Sequence, residues 1–200
     1  VGEKIDINKG KLPYKERGLS GCIDINSKSF EEQRRHGLEK LAAAYRICAR
    51  KGFDLGLVGH ISFRDPEFSD HFWINPLGYH FGQMKVSDLV LMNFDGELVF
   101  GKERTGDAAF CIHSEIYKSR EDIKSIAHAH PMYGKTFSAL GKELLPISQD
   151  SCAFYERTAM FNDYDGVANG PDEGINIAKA LADKDFVILQ NHGILTTGSM

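Results

Sequence analysis

The stretch "SIAHAHPMYG" (125–134) sets His128 and His130 on either side of one alanine, behind an apolar run and ahead of a proline. On a strand, side chains two residues apart leave the same face, so both imidazoles can reach one ion. A catalytic zinc site takes three protein ligands and keeps one position open. His192 in "QNHG", directly after the apolar run "FVILQ", offers a third nitrogen. Sites collect where strands end at one rim of an α/β sheet. The same spacing also suits histidines hydrogen-bonded inside a core, so spacing alone leaves both readings open. Of the other histidines, His36 falls on a charged helix face and reads as solvated, while His71 and His80 border strands as loop residues. His60 opens a glycine-flanked strand and can approach a ligand. His113 lies on an apolar helix face, the place of a hydrogen-bonded core histidine unless that face lines a cleft.

Other chemistries are not supported. "GLVGHISFRD" and "NPLGYHFG" allow close backbone approach to a ligand, but neither is a phosphate-binding P-loop or a GxGxxG fingerprint. No GxSxG elbow is present. The four cysteines are scattered, and without a CxxC pair a thiolate zinc site has no basis. Cys48 and Cys111 fall in helical apolar patterns and read as small core residues. The net charge of −4, with no basic field, argues against a nucleic-acid partner. Apolar runs are far shorter than the roughly 18 residues of a membrane span. The opening "VGEKIDINKGKLPYKERG" lacks an apolar signal segment. A cytoplasmic protein with reduced thiols, a small-molecule substrate, and neither membrane nor nucleic-acid partner is expected.

The elements that must position these histidines are legible from periodicity. Residues 1–28 are polar and read as an N-terminal arm. "SFEE" (29–32) is a capping box. Leu38, Leu41, Tyr45 and Cys48 follow at helical steps, predicting a helix over 30–52 ended by Gly52. Strands are expected at 59–66 and 71–76, with two more around the "DG" turn at 95–96. A helix over 107–119 carries Ala109, Ile112, His113 and Ile116 on one face. A strand over 123–130 and a helix over 132–141 follow. After "LLPISQDS" (144–151) the pattern blurs, and the segment through 170 reads as turn-rich. A helix over 171–182, with Asp172 as its cap, precedes a strand pair over 185–198 turning at Gly193. This is a single α/β domain with a mixed, mainly antiparallel central sheet flanked by helices.

Three pieces recur in one order: "GHISFRD" before "INPLG", "HAHP" after the "IHSEIY" helix, and "NHGIL" after an apolar strand. Together they resemble the class II aldolase/adducin family, of the L-fuculose-1-phosphate aldolase type, over residues 30–198. The resemblance implies that the domain spans 29–200, with a further helix and tail beyond. It implies that His128, His130 and His192 bind a divalent ion, most often zinc, although imidazole also accepts iron and other transition metals. The implied activity is a metal-dependent lyase of carbohydrate metabolism. Such an enzyme cleaves a small hydroxy-ketone or sugar phosphate by retro-aldol chemistry through a metal-stabilised enediolate. A homotetramer with sites between subunits is implied as well.

The chain departs from the aldolase pattern at two places. The family's acid/base glutamate falls at Ala109, which cannot move a proton. Glu115 points to another helix face. His113, one turn after Ala109 on the same face, is the candidate replacement. The aldolases' "GN" and Thr-Gly are Gly59-His60 and Leu77-Gly78 here. Gly59, His60 and Gly78 are the candidates for the substrate anion pocket, but Leu77 brings no hydroxyl to a phosphate. "AAFCIHSEIY" and "LLPIS" resemble the adducin branch. The alternatives are therefore a non-catalytic adducin-like interaction module, or a decarboxylase or oxygenase on the same scaffold.

Overall fold

The computed structural model describes residues 28–56, 58–163, 166 and 170–199. The expected N-terminal arm falls almost wholly outside them. Helix α1 (Phe30–Arg50) starts at the capping box, where Ser29 N–H donates to Glu32 Oε2 at 3.1 Å and Glu32 N–H donates to Ser29 Oγ at 3.3 Å. These bonds satisfy two of the amide groups that a helix start leaves without partners. Leu41 and Tyr45 are buried one turn apart, so α1 lays one stripe on the sheet.

Eight strands follow: β1 (His60–Arg64), β2 (His71–Ile74), β3 (Val90–Asn93), β4 (Leu98–Phe100), β5 (Ser125–Ala129), β6 (Thr158–Phe161), β7 (Phe186–Leu189) and β8 (Gly193–Gly198). Their order across the sheet is β4-β3-β2-β1-β5-β8-β7-β6. Every pairing is antiparallel except β6 with β7. The remaining helices are α2 (Asp107–Ser119), α3 (Met132–Ser138), α4 (Gln149–Cys152) and α5 (Pro171–Leu181).

Strand alternation divides the core in two. On one face Phe72, Met92, Ile126, Val187 and Leu195 pack under α2 and α5 through Ile112, Ile116, Ile177 and Leu181. On the other, Ile61, Phe63 and Trp73 pack under α1 through Leu41 and Tyr45. Each buried Leu, Ile or Phe contributes about 1.5–3 kcal/mol. A Cβ at Gly174 would stand 2.3 Å from the Cys111 carbonyl oxygen, so that glycine lets α5 lie directly on α2. The chain is thus a single α/β domain with a mixed central sheet between helices. No helix among the described residues is long and apolar enough to cross a membrane.

Several boundaries move from their sequence positions. Helix α1 ends at Arg50 and α3 at Ser138, where Gly52 and Gly141 (φ 74° and 58°) continue the exits rather than the helices. The N-cap of α5 is Gly170 rather than Asp172. Pro171 takes the first turn, where its missing N–H and fixed φ fit, and Asp172 sits beside it, where a negative charge suits the helix dipole. The sequence predicts no element at α4, and the turn-rich reading of 152–170 hides β6. Strand β6 lies at the sheet edge and is half-exposed along most of its length, so it shows no alternation to read.

Candidate metal centre

The β1–β5 register sets His60 opposite His128, and β8 pairs with the other edge of β5. His128 therefore points to the α2 side of the sheet, with His130 two residues on. His192 arrives from the turn between β7 and β8, where His192 N–H donates to the Leu189 carbonyl at 3.1 Å. The third position of that turn needs a positive φ, and Asn191 holds it at 58°. Gly193 follows because nothing larger fits. A Cβ there would meet the Ala129 carbonyl oxygen at 2.7 Å and the His130 ring at 2.9 Å.

Ligand nitrogens of His128, His130 and His192 all lie within 4.8 Å of one another. Nδ1–H of His128 donates to the Ile194 carbonyl at 3.0 Å, so its Nε2 keeps the lone pair and faces His130 Nε2 at 2.8 Å. A backbone carbonyl behind a ligand histidine is the usual device for fixing its tautomer. Two tetrahedral ligands with bonds of about 2.1 Å stand roughly 3.4 Å apart, so the pair needs only a small separation to take an ion. Burial lowers all three histidines: His128 well below its ordinary value, His192 to about 4, and His130 downward with help from Lys135. They are neutral donors at neutral pH, as metal binding requires. The residues present fit a divalent ion.

A cavity of about 300 Å³ opens on these rings. Gly59, His60, Asn75 and Thr105 line it with the apolar Val58, Leu77, Ala108, Ala109 and Ile112. No lysine or arginine lines it among the described residues. Gly59 has φ 105°, and a Cβ there would stand 3.2 Å from the His128 carbonyl oxygen, so it carries the chain close to β5. Thr105 Oγ1 is buried without a hydrogen-bond partner among the described residues. Gly78 does not line the cavity; its neighbour Leu77 does, with 62% of its surface exposed.

His113 is fully buried and sits behind His60 rather than on the cavity wall. His60 Nδ1 lies 2.6 Å from His113 Nε2, His113 Nδ1 lies 2.5 Å from Ser62 Oγ, and Ser62 Oγ lies 2.8 Å from Tyr117 Oη. The ring of His60 also lies against that of His128, with centroids 4.7 Å apart. Burial pushes His113 down to about 3 and His60 well below its ordinary value. Ser62, Tyr117, Thr105 and Asn75 escaped the sequence reading. The even spacing of His60 and Ser62 on one strand was the available signal.

Fold and cluster define the class: a mixed-sheet α/β domain with three histidines gathered at one rim. Comparison with known proteins gives the family. The model of the "Class II Aldolase and Adducin N-terminal domain" matches residues 39–200, and the chain belongs to that family. Such proteins usually use a divalent metal. The chain is 43% identical over 183 residues to the Meiotically up-regulated gene 14 protein of Schizosaccharomyces pombe, covering 91% of this chain and 69% of that protein. It is 40% identical over 172 residues to a 4-hydroxy-3-prenylphenylpyruvate oxygenase/4-hydroxy-3-prenylbenzoate synthase of Streptomyces roseochromogenus, covering 85% and 62%. The solved structure of an L-fuculose 1-phosphate aldolase from Glaciozyma antarctica superposes with a TM-score of 0.77 at 46% identity, covering 85% and 66%. The chain thus spans about two thirds of the length of these relatives.

Proposed function

We propose that the chain is a divalent-metal-dependent lyase that breaks a carbon–carbon bond beside a hydroxyl or carbonyl group of a small, non-phosphorylated molecule. The observation that carries this reading is the convergence of three neutral imidazoles on the wall of one open cavity. His128, His130 and His192 would hold the ion, with zinc the first candidate. The bound ion would supply Lewis-acid stabilisation of negative charge on a substrate oxygen.

The rest of the cavity narrows the substrate. A phosphate dianion asks for several donors or a cation, and the walls offer Ala108, Ala109, Val58 and Leu77 instead. Apart from the three candidate ligands, His60 is the titratable side chain among the described residues that line the cavity. Ala109 can neither take nor give a proton and leaves room for a substrate carbon chain. Thr105 Oγ1 awaits a partner that a substrate oxygen could supply. The apolar wall also favours a second reading, decarboxylation or oxygenation of an aryl or alkyl keto acid. The 40% relative named for oxygenase chemistry supports it. Tyr133 and Ile147 are 82% and 85% exposed, and we read them as part of a surface covered by another copy in a tetramer.

Metal analysis after chelator-free purification, followed by cleavage assays, tests the proposal. About one ion per chain and retro-aldol cleavage of non-phosphorylated hydroxy-ketones are expected. Less than about one tenth of an ion per chain would overturn the proposal in favour of an interaction module. Turnover that needs iron and dioxygen would replace it by the oxygenase reading.

A further inference from the structure

The buried chain His60–His113–Ser62–Tyr117 has a direction, and the direction decides what His60 shows the cavity. Tyr117 is fully buried, and among the described residues its hydroxyl has Ser62 Oγ as its hydrogen-bond partner. Ser62 Oγ has two partners, Tyr117 Oη and His113 Nδ1. A neutral imidazole carries one N–H and one lone pair. Two arrangements therefore satisfy the His60–His113 contact. In the first, Tyr117 donates to Ser62, Ser62 donates to His113 Nδ1, and His113 Nε2–H donates to His60 Nδ1. Every hydrogen passed along the chain then has an acceptor, and the one left over is on Nε2 of His60, the member that lines the cavity, where a ligand or water can accept it. In the second, every bond reverses, and the Tyr117 hydroxyl hydrogen is left in the core without an acceptor. Buried donors without partners are rare because they forfeit hydration with no return.

We infer that the chain runs from Tyr117 to His60, so that His60 presents Nε2–H to the cavity as a fixed hydrogen-bond donor to a substrate oxyanion. This rests on the reading of the cavity as the active site. His60 borders the cavity and its Nδ1 is taken by His113, which leaves Nε2 as the nitrogen for a bound molecule. A donor held before the reaction begins stabilises developing negative charge without reorganising. His60 is then an electrophilic partner rather than the replacement for a missing base. His113 and Ser62 are positioning residues that act through it.

Nitrogen-15 correlation spectra of the histidine rings test the assignment, recorded on the whole chain before and after addition of zinc. Both His60 and His113 are expected as the Nε2–H tautomer. A hydrogen on Nδ1 of His60 would overturn the inference. Ser62→Ala removes the donor to His113 and should give mixed tautomers, with kcat down about tenfold and KM little changed. Tyr117→Phe is the control. It leaves Ser62 donating to His113, and the Nε2–H tautomers should persist. Ser62→Thr, which keeps the hydroxyl, should restore the wild-type spectrum. Unchanged tautomers in Ser62→Ala would also overturn the role given to the chain. The spectra need no turnover: Nε2–H on His60 in a chain without lyase activity would sink the lyase reading alone, and Nδ1–H with full activity would sink this inference alone.

Discussion

The two ends of strand β1 bury polar side chains in opposite ways. At the exit, Asp65 accepts from Arg34 Nε at 2.7 Å, Arg34 Nη2 at 2.9 Å and Trp73 Nε1 at 2.8 Å, and from the amides of Glu67 and Phe68. Beside it the Arg64 guanidinium donates to the carbonyls of Ile123, Ser69, Tyr117 and Arg120. Burial alone would push Asp65 up; its hydrogen bonds hold it below the ordinary carboxylate range. At the entry, His60 is neutral, linked on one side to another neutral histidine and open on the other to the cavity. The charged end is saturated by protein partners and pins β1 to α1, β2 and α2. The neutral end keeps bonding capacity in reserve for a ligand. Saturation marks structure here, and reserve marks chemistry.

The contrast can be broken from either end. Asp65→Ala should do the most damage, about 3 kcal/mol of stability by urea unfolding, because it takes the acceptor from the buried Trp73 N–H and from the Glu67 and Phe68 amides and leaves Arg34 with Glu67 alone. Its metal affinity should match the wild type; a weakened metal site in the folded variant would show that the two ends are not separate. His192→Ala should reverse the pattern. Metal affinity by titration is expected to fall about 100-fold or more, while the metal-free chain unfolds near the wild-type midpoint.

Acid should separate the ends next. His113 has a folded value of about 3 against about 6.5 in the unfolded chain, so below pH 6.5 the unfolded chain takes up the proton first. Stability is present in full above that pH and is lost as pH falls toward 3, by about 1.4 kcal/mol per pH unit for this group. Asp65 is lowered instead, so its contribution disappears only below the ordinary carboxylate value. Between pH 6.5 and 4.5 His113 alone should cost the metal-free protein roughly 2–3 kcal/mol by urea unfolding, and His60, His128 and His192, lowered by the same burial, add to that loss. His113→Gln should lower that slope by its own share and leave the rest, and a flat wild-type profile would refute the burial of neutral histidine. Ser29→Ala, remote from both ends, should cost about 1 kcal/mol and move neither the pH slope nor the metal affinity.

What the sequence reveals follows how local each cause is. His128 and His130 stand out because a strand repeats every two residues, and the α1 start because a capping box spans four. His192 is visible as the polar stop of an apolar strand. Strand β6 escapes because an edge strand exposed along most of its length has no alternation. Ser62 and Tyr117 escape because their meeting depends on how α2 lies across β1, which no neighbouring residue encodes. Tyr45 reads as one more apolar helix position, yet its hydroxyl accepts from the Ile61 and Asn75 amides and ties α1 to β1 and to the segment after β2.

The bond from His128 Nδ1 to the Ile194 carbonyl joins residues 66 apart in the chain. Its partner strand β8 also places Gly193 against His130. The three rings therefore gather only after β5 and β8 have paired, a slow, non-local event in folding. An ion cannot nucleate this protein as it nucleates a zinc finger, whose ligands are near neighbours. An ion bound by these histidines would meet a finished sheet, and its departure should leave that sheet standing.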